Sequence, residues 1–386
     1  MSYYFDVFGH SLCKTGEELC GDRFKVYKDD ERTIIVLSDG LGSGVKANIL
    51  ATMTSDIILT LLKNDVELKE VIHTVIGTLP VCKVRKIGYA TFTFIEIRHK
   101  TNQFQLVNFD NPSTIWIHKG SLTELPVREE YILEKKVRIA VGEFSRGDFL
   151  GMMTDGVLYA GMGTTMNFGW GWKEIARFVE GLLITGDRNV RKLVQEVLKQ
   201  TRIYYRDQIG DDATFTGIYV RDKKRLVVFT GPPVDPALDR TVAERVLNYD
   251  GRKVVCGGTS GNIIAKFLDQ EIETITSSMT HDIPPIGKLD GLDLLTEGIV
   301  TLSNAMEFIR ESGGDIYRLP SGSDGASLLA QELMAADRIR FLVGLQINHY
   351  YQNPILPKTM SIRKNLIREL MELLQSFQKQ VFVDYY

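Results

Sequence analysis

Hydrophobic and polar positions up to Val220 predict strands, two helices, more strands, two further helices and a closing strand. Thr33-Ile34-Ile35-Val36-Leu37-Ser38 is a β-branched apolar run halted by Asp39-Gly40. From Gly44 to Leu62 the period changes: Val45, Ile49, Met53, Ile57 and Leu61 recur every four residues and predict one apolar helix face. A second amphipathic helix is predicted over Leu68 to Leu79, ended by Pro80. Strand-like segments follow at Ala90 to Ile97, Phe104 to Phe109, Thr114 to His118 and Asp148 to Met153, the last halted by Asp155-Gly156. Helical patterns at Trp172 to Leu183 and Val190 to Tyr205 precede the strand Ala213 to Val220. This succession predicts an α+β fold with helices packed outside two stacked sheets.

The charged break Arg221-Asp222-Lys223-Lys224 marks a boundary, giving domains 1–222 and 223–386. Beyond it, strands are predicted at Leu226 to Phe229 and Lys253 to Cys256, and helices at Asp239 to Leu247, Asn262 to Leu268, Ala326 to Tyr350 and Ile362 to Gln378. Val381-Phe382-Val383 is a short apolar end, and the whole reads as a smaller α/β module. Gly257-Gly258-Thr259-Ser260-Gly261 lies between a strand and a helix, where backbone amides can bind an anion. A tight turn with Ser260 capping the helix accounts for the same residues. Pro284-Pro285-Ile286-Gly287, Thr296-Glu297-Gly298 and Gly322 to Ala326 are further loops near helix starts. Their convergence would make a pocket for a small-molecule or phosphate-containing ligand and give this domain a regulatory role.

Composition narrows the classes. Hydrophobic residues are 44%, charged residues 25% and the net charge −3, which is a globular balance with no overall pull toward nucleic acid or an anionic membrane. The four cysteines include no C-x-x-C pair, and the six histidines lie at no ligand spacing from a cysteine pair, so zinc is not expected. The N-terminus lacks a basic and apolar leader pattern, and no uninterrupted apolar stretch approaches the ~18 residues of a span. A cytoplasmic protein with reduced thiols, no membrane partner and no nucleic-acid partner is the expectation.

Four acidic turns stand at predicted strand ends: Gly21-Asp22, Asp39-Gly40, Asp155-Gly156 and Gly210-Asp211-Asp212. Singly, each is an ordinary turn. Together they offer hard oxygen ligands of the kind Mg2+ and Mn2+ take, with about the charge that two divalent cations neutralise.

With their flanks, these turns resemble a known family. Cys20-Gly21-Asp22, Ser38-Asp39-Gly40-Leu41-Gly42-Ser43-Gly44 with Ala47, Met153-Thr154-Asp155-Gly156 and Gly210-Asp211-Asp212-Ala213-Thr214 are similar to motifs of the PPM-type metal-dependent protein phosphatases, in the bacterial SpoIIE-like branch. The resemblance spans about residues 1–222 and implies a β-sandwich flanked by helices. It implies that Asp39 bridges two Mn2+ or Mg2+ ions, with the Gly40 carbonyl as a further ligand. Asp155 and Asp211 would hold the second ion, Asp22 would act directly or through water, and Asp212 would order the turn. The implied reaction is hydrolysis of phosphoserine or phosphothreonine on a partner protein by a metal-activated water. Control would come from the C-terminal domain or from a partner that repositions the helix pair between Gly44 and Leu79.

The early arginine of many eukaryotic members has no counterpart here; Lys14 and Arg23 stand nearby, and His10 is a candidate acid. Gly169-Trp170-Gly171-Trp172 reads as a mobile flap after Asp155. The rival reading is a pseudophosphatase or metabolite-sensing module acting through the C-terminal domain, against which the retained acidic set argues. A homodimer is compatible with either.

Overall fold

Ile34, Ile35, Val36 and Leu37 are all fully buried, so the strand that carries them must be covered on both faces. The computed structural model, which describes residues 3–78, 90–186, 188–275, 286–346 and 359–386, supplies both covers. The chain forms two units, Met1–Asp222 and Lys223–Tyr386.

The N-terminal unit begins with β1 (Tyr4–Leu12), β2 (Asp22–Lys28), β3 (Arg32–Gly40), α1 (Gly44–Lys63) and α2 (Leu68–Thr78). It continues through β4 (Ala90–Arg98), β5 (Gln103–Phe109), β6 (Ile115–His118), β7 (Ser121–Thr123), β8 (Val127–Ile132) and β9 (Lys135–Glu143). Then come β10 (Phe149–Met153), α3 (Asp155–Leu158), α4 (Trp172–Thr185), α5 (Val190–Tyr204) and β11 (Ala213–Arg221). Two antiparallel sheets result, ordered β1-β11-β10-β6-β7 and β2-β3-β4-β5-β9-β8. Ile35 and Leu37 join Phe104, Trp116, Leu150, Met152 and Ile218 in the core between the sheets. Ile34 and Val36, on the other face of the same strand, pack with Ile58, Leu62, Val71 and Ile72 of α1 and α2. On the far side Ile175, Val179, Val194 and Val197 of α4 and α5 cover Phe149 and Phe215. The expected sandwich flanked by helices is therefore present, and each fully buried Phe or Ile within it contributes about 1.5–3 kcal/mol.

The helix face expected to be buried in α1 holds only toward its C-terminal end, where Ile57 and Leu61 pack against the core. Val45, Ile49 and Met53 are exposed by 59%, 51% and 56%, while Ala47, Asn48, Ala51, Thr54, Ser55, Ile58 and Leu62 are buried. The reason is closeness: a Cβ on Gly40 would stand 2.0 Å from the Ala47 carbonyl oxygen, so only small side chains fit between the first turns of α1 and the sheet, and large ones are buried only at Ile58 and Leu62. α1 also has the length (20 residues) and mean hydropathy (1.4) of a membrane span, which the sequence reading did not anticipate. A helix with one face packed in a core passes the same test. The predicted end of α2 at Leu79 and Pro80 lies outside the described residues.

The C-terminal unit contains β12 (Arg225–Thr230), α6 (Asp239–Leu247), β13 (Arg252–Cys256), α7 (Gly258–Leu268), β14 (Glu273–Ile275) and β15 (Ile286–Lys288). It ends with β16 (Leu294–Thr296), α8 (Ile299–Glu311), α9 (Gly325–Ala335), β17 (Arg338–Val343), α10 (Thr359–Ser376) and β18 (Gln380–Tyr385). One sheet, ordered β14-β15-β16-β13-β12-β17-β18, is parallel from β16 to β18. α8, α9 and α10 cover one face, α6 and α7 the other. This is a doubly wound α/β arrangement, in which ligands bind beyond the carboxyl ends of the strands.

Two expectations are corrected here. The helix predicted from Ala326 to Tyr350 stops at Ala335, and Arg338–Val343 is instead a strand between β12 and β18. Its alternation of Arg338 and Arg340 with the buried Ile339 and Phe341 is a strand period, and 347–350 lie outside the described residues. The helix predicted from Asn262 begins at Gly258, so Ser260 sits inside its first turn and is not its cap. Of the loop Pro284-Pro285-Ile286-Gly287, the two prolines lie outside the described residues.

Candidate metal centre

Strand ends gather the acidic turns at one edge of the sandwich. Asp22 opens β2 and pairs across the ladder with Asp39 near the end of β3. Asp155 follows β10 with Thr154 as the N-cap of α3, and Asp211 precedes β11. Because β10 and β11 are antiparallel neighbours, the end of one lies beside the start of the other. The Asp39 and Asp155 carboxyls hydrogen-bond one another.

Asp22 is buried, with one oxygen fully engaged. Its Oδ2 accepts from Thr154 Oγ1 at 2.8 Å and Thr214 Oγ1 at 2.7 Å, and its buried Oδ1 has no hydrogen-bond partner among the described residues. The Thr214 amide in turn donates to Thr154 Oγ1 at 2.9 Å. Both threonines stand in the motif flanks, but their convergence on Asp22 depends on strand pairing and was not read from the sequence.

Asp212 differs from Asp211. Its Oδ1 accepts from the Lys14 amide at 2.9 Å and its Oδ2 from the Gly21 amide at 2.8 Å, which ties the segment before Asp22 to β11. Asp211 Oδ1 accepts the Asp212 amide at 3.0 Å. Two glycines make the crowding tolerable: Gly40 lies against the Ala47 carbonyl, and a Cβ on Gly156 would stand 2.1 Å from the Asp212 carbonyl oxygen.

The electrostatics are those of crowded acids. Burial, then the carboxylates of Asp22, Asp155 and Asp211, pushes Asp39 up to about 9. Burial also pushes Asp22 up to about 7, although the Thr214 and Thr154 hydroxyls pull it down. Burial raises Asp155, with Asp211 adding to it, and burial likewise raises Asp211, which the Lys14 charge lowers. Four hard oxygen donors, each pushed up by burial for want of positive charge, suit divalent cations. The buried, unpartnered Asp22 Oδ1 fits the same account.

Other candidates separate from this group. His10 is exposed on β1, and no hydrogen bond or ion pair among the described residues joins it to the aspartates. Arg23 donates to Thr52 Oγ1 at 3.0 Å. Trp170 is buried against Phe178 and Tyr204, and Trp172 Nε1 donates to the Ser113 carbonyl at 2.8 Å, so the predicted flap is anchored. Two neighbours went unnoticed in the sequence. Tyr205 donates to the Gly156 carbonyl at 2.8 Å, and burial with Asp211 and Asp155 raises its hydroxyl. Cys13, Cys20 and Asp212 bring potential ligand atoms within 4.8 Å of one another. In the C-terminal unit, the loops 257–261 and 296–298 leave the sheet side by side, at the ends of β13 and β16.

A sequence model of stage II sporulation protein E (SpoIIE) matches residues 29–221. The phosphoserine phosphatase RsbX of Bacillus subtilis (strain 168) is 28% identical over 153 residues, which is 38% of this chain and 72% of that protein. Among solved structures, the PP2C phosphatase domain of SpoIIE from Bacillus subtilis, with a fragment of its regulatory domain, matches with a TM-score of 0.50 at 17% identity. That match covers 57% of this chain and 64% of the other, slightly under two thirds. RsbX in complex with magnesium matches with a TM-score of 0.40 at 21% identity, over 56% of this chain and 95% of that one.

Proposed function

The chain belongs to the SpoIIE family of PP2C-type protein phosphatases, and from that membership we propose that residues 1–222 hydrolyse phosphoserine or phosphothreonine on a partner protein. The observation that carries this reading is the convergence of Asp22, Asp39, Asp155 and Asp211, each raised above the ordinary carboxylate value by burial among the others. In this reading Asp39, the Gly40 carbonyl, Asp155, Asp211 and Asp22 hold two Mn2+ or Mg2+ ions. Bound ions of this kind neutralise phosphoryl oxygens and lower the pKa of water.

The chain's own residues provide position. Thr154 and Thr214 fix Asp22 Oδ2 and leave Oδ1 for a cation. Asp212 holds the Lys14 to Gly21 segment, and Lys14 brings a positive charge to Asp211. The protein acts in the cytoplasm in this reading, and its rate is set by the C-terminal unit or by a partner acting on α1 and α2. The test is hydrolysis of an aryl phosphate and a phosphopeptide with Mn2+, for wild type and Asp39→Asn. Wild-type activity that depends on metal and falls at least about 100-fold in the variant is expected; a variant that matches wild type refutes the assignment. Truncation after Asp222 tests control by the C-terminal unit, which predicts a changed rate.

A further inference from the structure

We infer that the C-terminal unit binds the phosphate group of a small phosphate ester between the N-termini of α7 and α8. β13 and β16 are parallel neighbours that end together, with Cys256 in register with Thr296, and the Gly257 amide donates to the Thr296 carbonyl at 2.8 Å. Each strand then passes through a glycine N-cap, Gly257 or Gly298, into a helix of 11 or 13 residues. Neither cap makes a side-chain hydrogen bond to its helix. A Cβ on Gly257 would stand 3.8 Å from the Gly298 Cα, and one on Gly298 would stand 3.6 Å from the Gly257 Cα. The missing side chains thus let the two caps approach closely, and beside them a Cβ on Gly258 would meet nothing within 4 Å, so the space before the end of α7 is open.

Buried hydroxyls supply an independent indication. Ser260 and Thr301 each occupy the third position of their helix, each is 1% exposed, and neither hydroxyl has a hydrogen-bond partner among the described residues. Ser260 Oγ lies 3.4 Å from the Cβ position of Gly257, a position that is itself 3.8 Å from the Gly298 Cα. A buried hydroxyl without a partner is costly, and an acceptor bound at these helix ends would offer each of the two first turns the partner it lacks.

The first-turn amides of both helices add further donors and the positive ends of two helix dipoles. Gly258 and Thr259 are exposed, so the place is reachable from solvent. Glu297, exposed on the loop into α8, can accept from the hydroxyls of an ester, which free phosphate does not offer it in the same place. The position, beyond the carboxyl ends of parallel strands, is where doubly wound folds bind ligands.

The test is calorimetric titration of the full chain, stripped of metal with EDTA, using AMP and inorganic phosphate. Omission of metal keeps the readout separate from the phosphatase unit, so neither result depends on hydrolysis. AMP is expected to bind saturably and more tightly than inorganic phosphate. Gly258→Asp is expected to abolish binding of both: a Cβ there meets nothing within 4 Å, and the carboxylate occupies the helix end and stabilises it. Paired Ser260→Ala and Thr301→Ala should weaken binding by roughly tenfold or more, the loss of hydrogen bonds to a charged group. Absence of saturable AMP binding in wild type overturns the inference, and so does unchanged binding in Gly258→Asp. Tighter binding of inorganic phosphate than of AMP overturns the choice of an ester.

Discussion

Asp22 and Asp39 face each other across the β2–β3 ladder, two carboxylates at one register position. Like charges directly opposite on a sheet are destabilising, and here both groups are also withdrawn from water. The pair is tolerable with protons or with cations, and this choice sets the first prediction.

Without metal, Asp39 and Asp22 titrate near 9 and 7 in the folded chain and at 3.8 when unperturbed. The folded state therefore holds protons that the unfolded state has released, and stability falls as pH rises through that window. Below it both states are protonated and the contribution is fully present. Thermal unfolding of EDTA-treated protein should show a midpoint that declines from pH 5 toward pH 9 more steeply in wild type than in Asp39→Asn. Added Mn2+ should remove the difference, with protons released on binding. Equal slopes without metal would contradict the burial of these acids.

Thr214 holds Asp22 from the neighbouring sheet. Thr214→Val keeps the shape and removes the hydroxyl. Apparent Mn2+ affinity, read from the metal dependence of hydrolysis, is expected to fall about 10- to 100-fold, the usual effect of losing a group that orients a ligand. An unchanged metal dependence would separate Asp22 from the metals.

Gly40 touches α1 through the Ala47 carbonyl. Gly40→Ala must push the helix outward and should cost about 1–3 kcal/mol, measured as a lower urea midpoint, with loss of activity in the same variant. A midpoint equal to wild type would show that α1 sits farther from the sheet.

The two faces of α1 should respond in opposite ways. Met53→Gln, on the exposed stripe, should change stability by no more than about 0.5 kcal/mol. Ala51→Leu, on the buried side, should destabilise by about 1–3 kcal/mol. Urea unfolding of the two variants decides which face packs.

These faces also mark how far the sequence could be read. The β3 run was legible because burial on both sides leaves no polar alternation, and Asp39 and Asp155 were legible because each stops an apolar strand at Asp-Gly. Counting large apolar residues along α1 holds for Ile57 and Leu61 and fails for Val45, Ile49 and Met53, since close approach of the N-terminal half to the sheet favours small residues, which a hydrophobic pattern ignores. β8 and β9 passed unnoticed because Val127–Glu143 is rich in charge and only partly buried. Arg338–Val343 reads as a continuation of the preceding helix because it follows the apolar run of α9 after only two residues, although its alternation of arginines is a strand period. The threonines on Asp22 and the facing glycines at 257 and 298 are products of strand pairing between distant segments, which one sequence does not reveal.

One pairing in the fold also carries a schedule. β1 zips along its full length to β11, Tyr4 with Arg221 through Leu12 with Ala213, and Asp212 grips the amides of Lys14 and Gly21. The first strand of the N-terminal unit is completed only by the last strand of that unit, the costliest kind of closure for a growing chain. At ordinary elongation rates, roughly 5–20 residues per second, tens of seconds pass before that partner emerges from the ribosome. Until then Asp22 has neither of its threonines in place. The newborn chain thus carries its acidic residues unassembled until β11 has been made, and the cluster exists only once the unit has closed on itself.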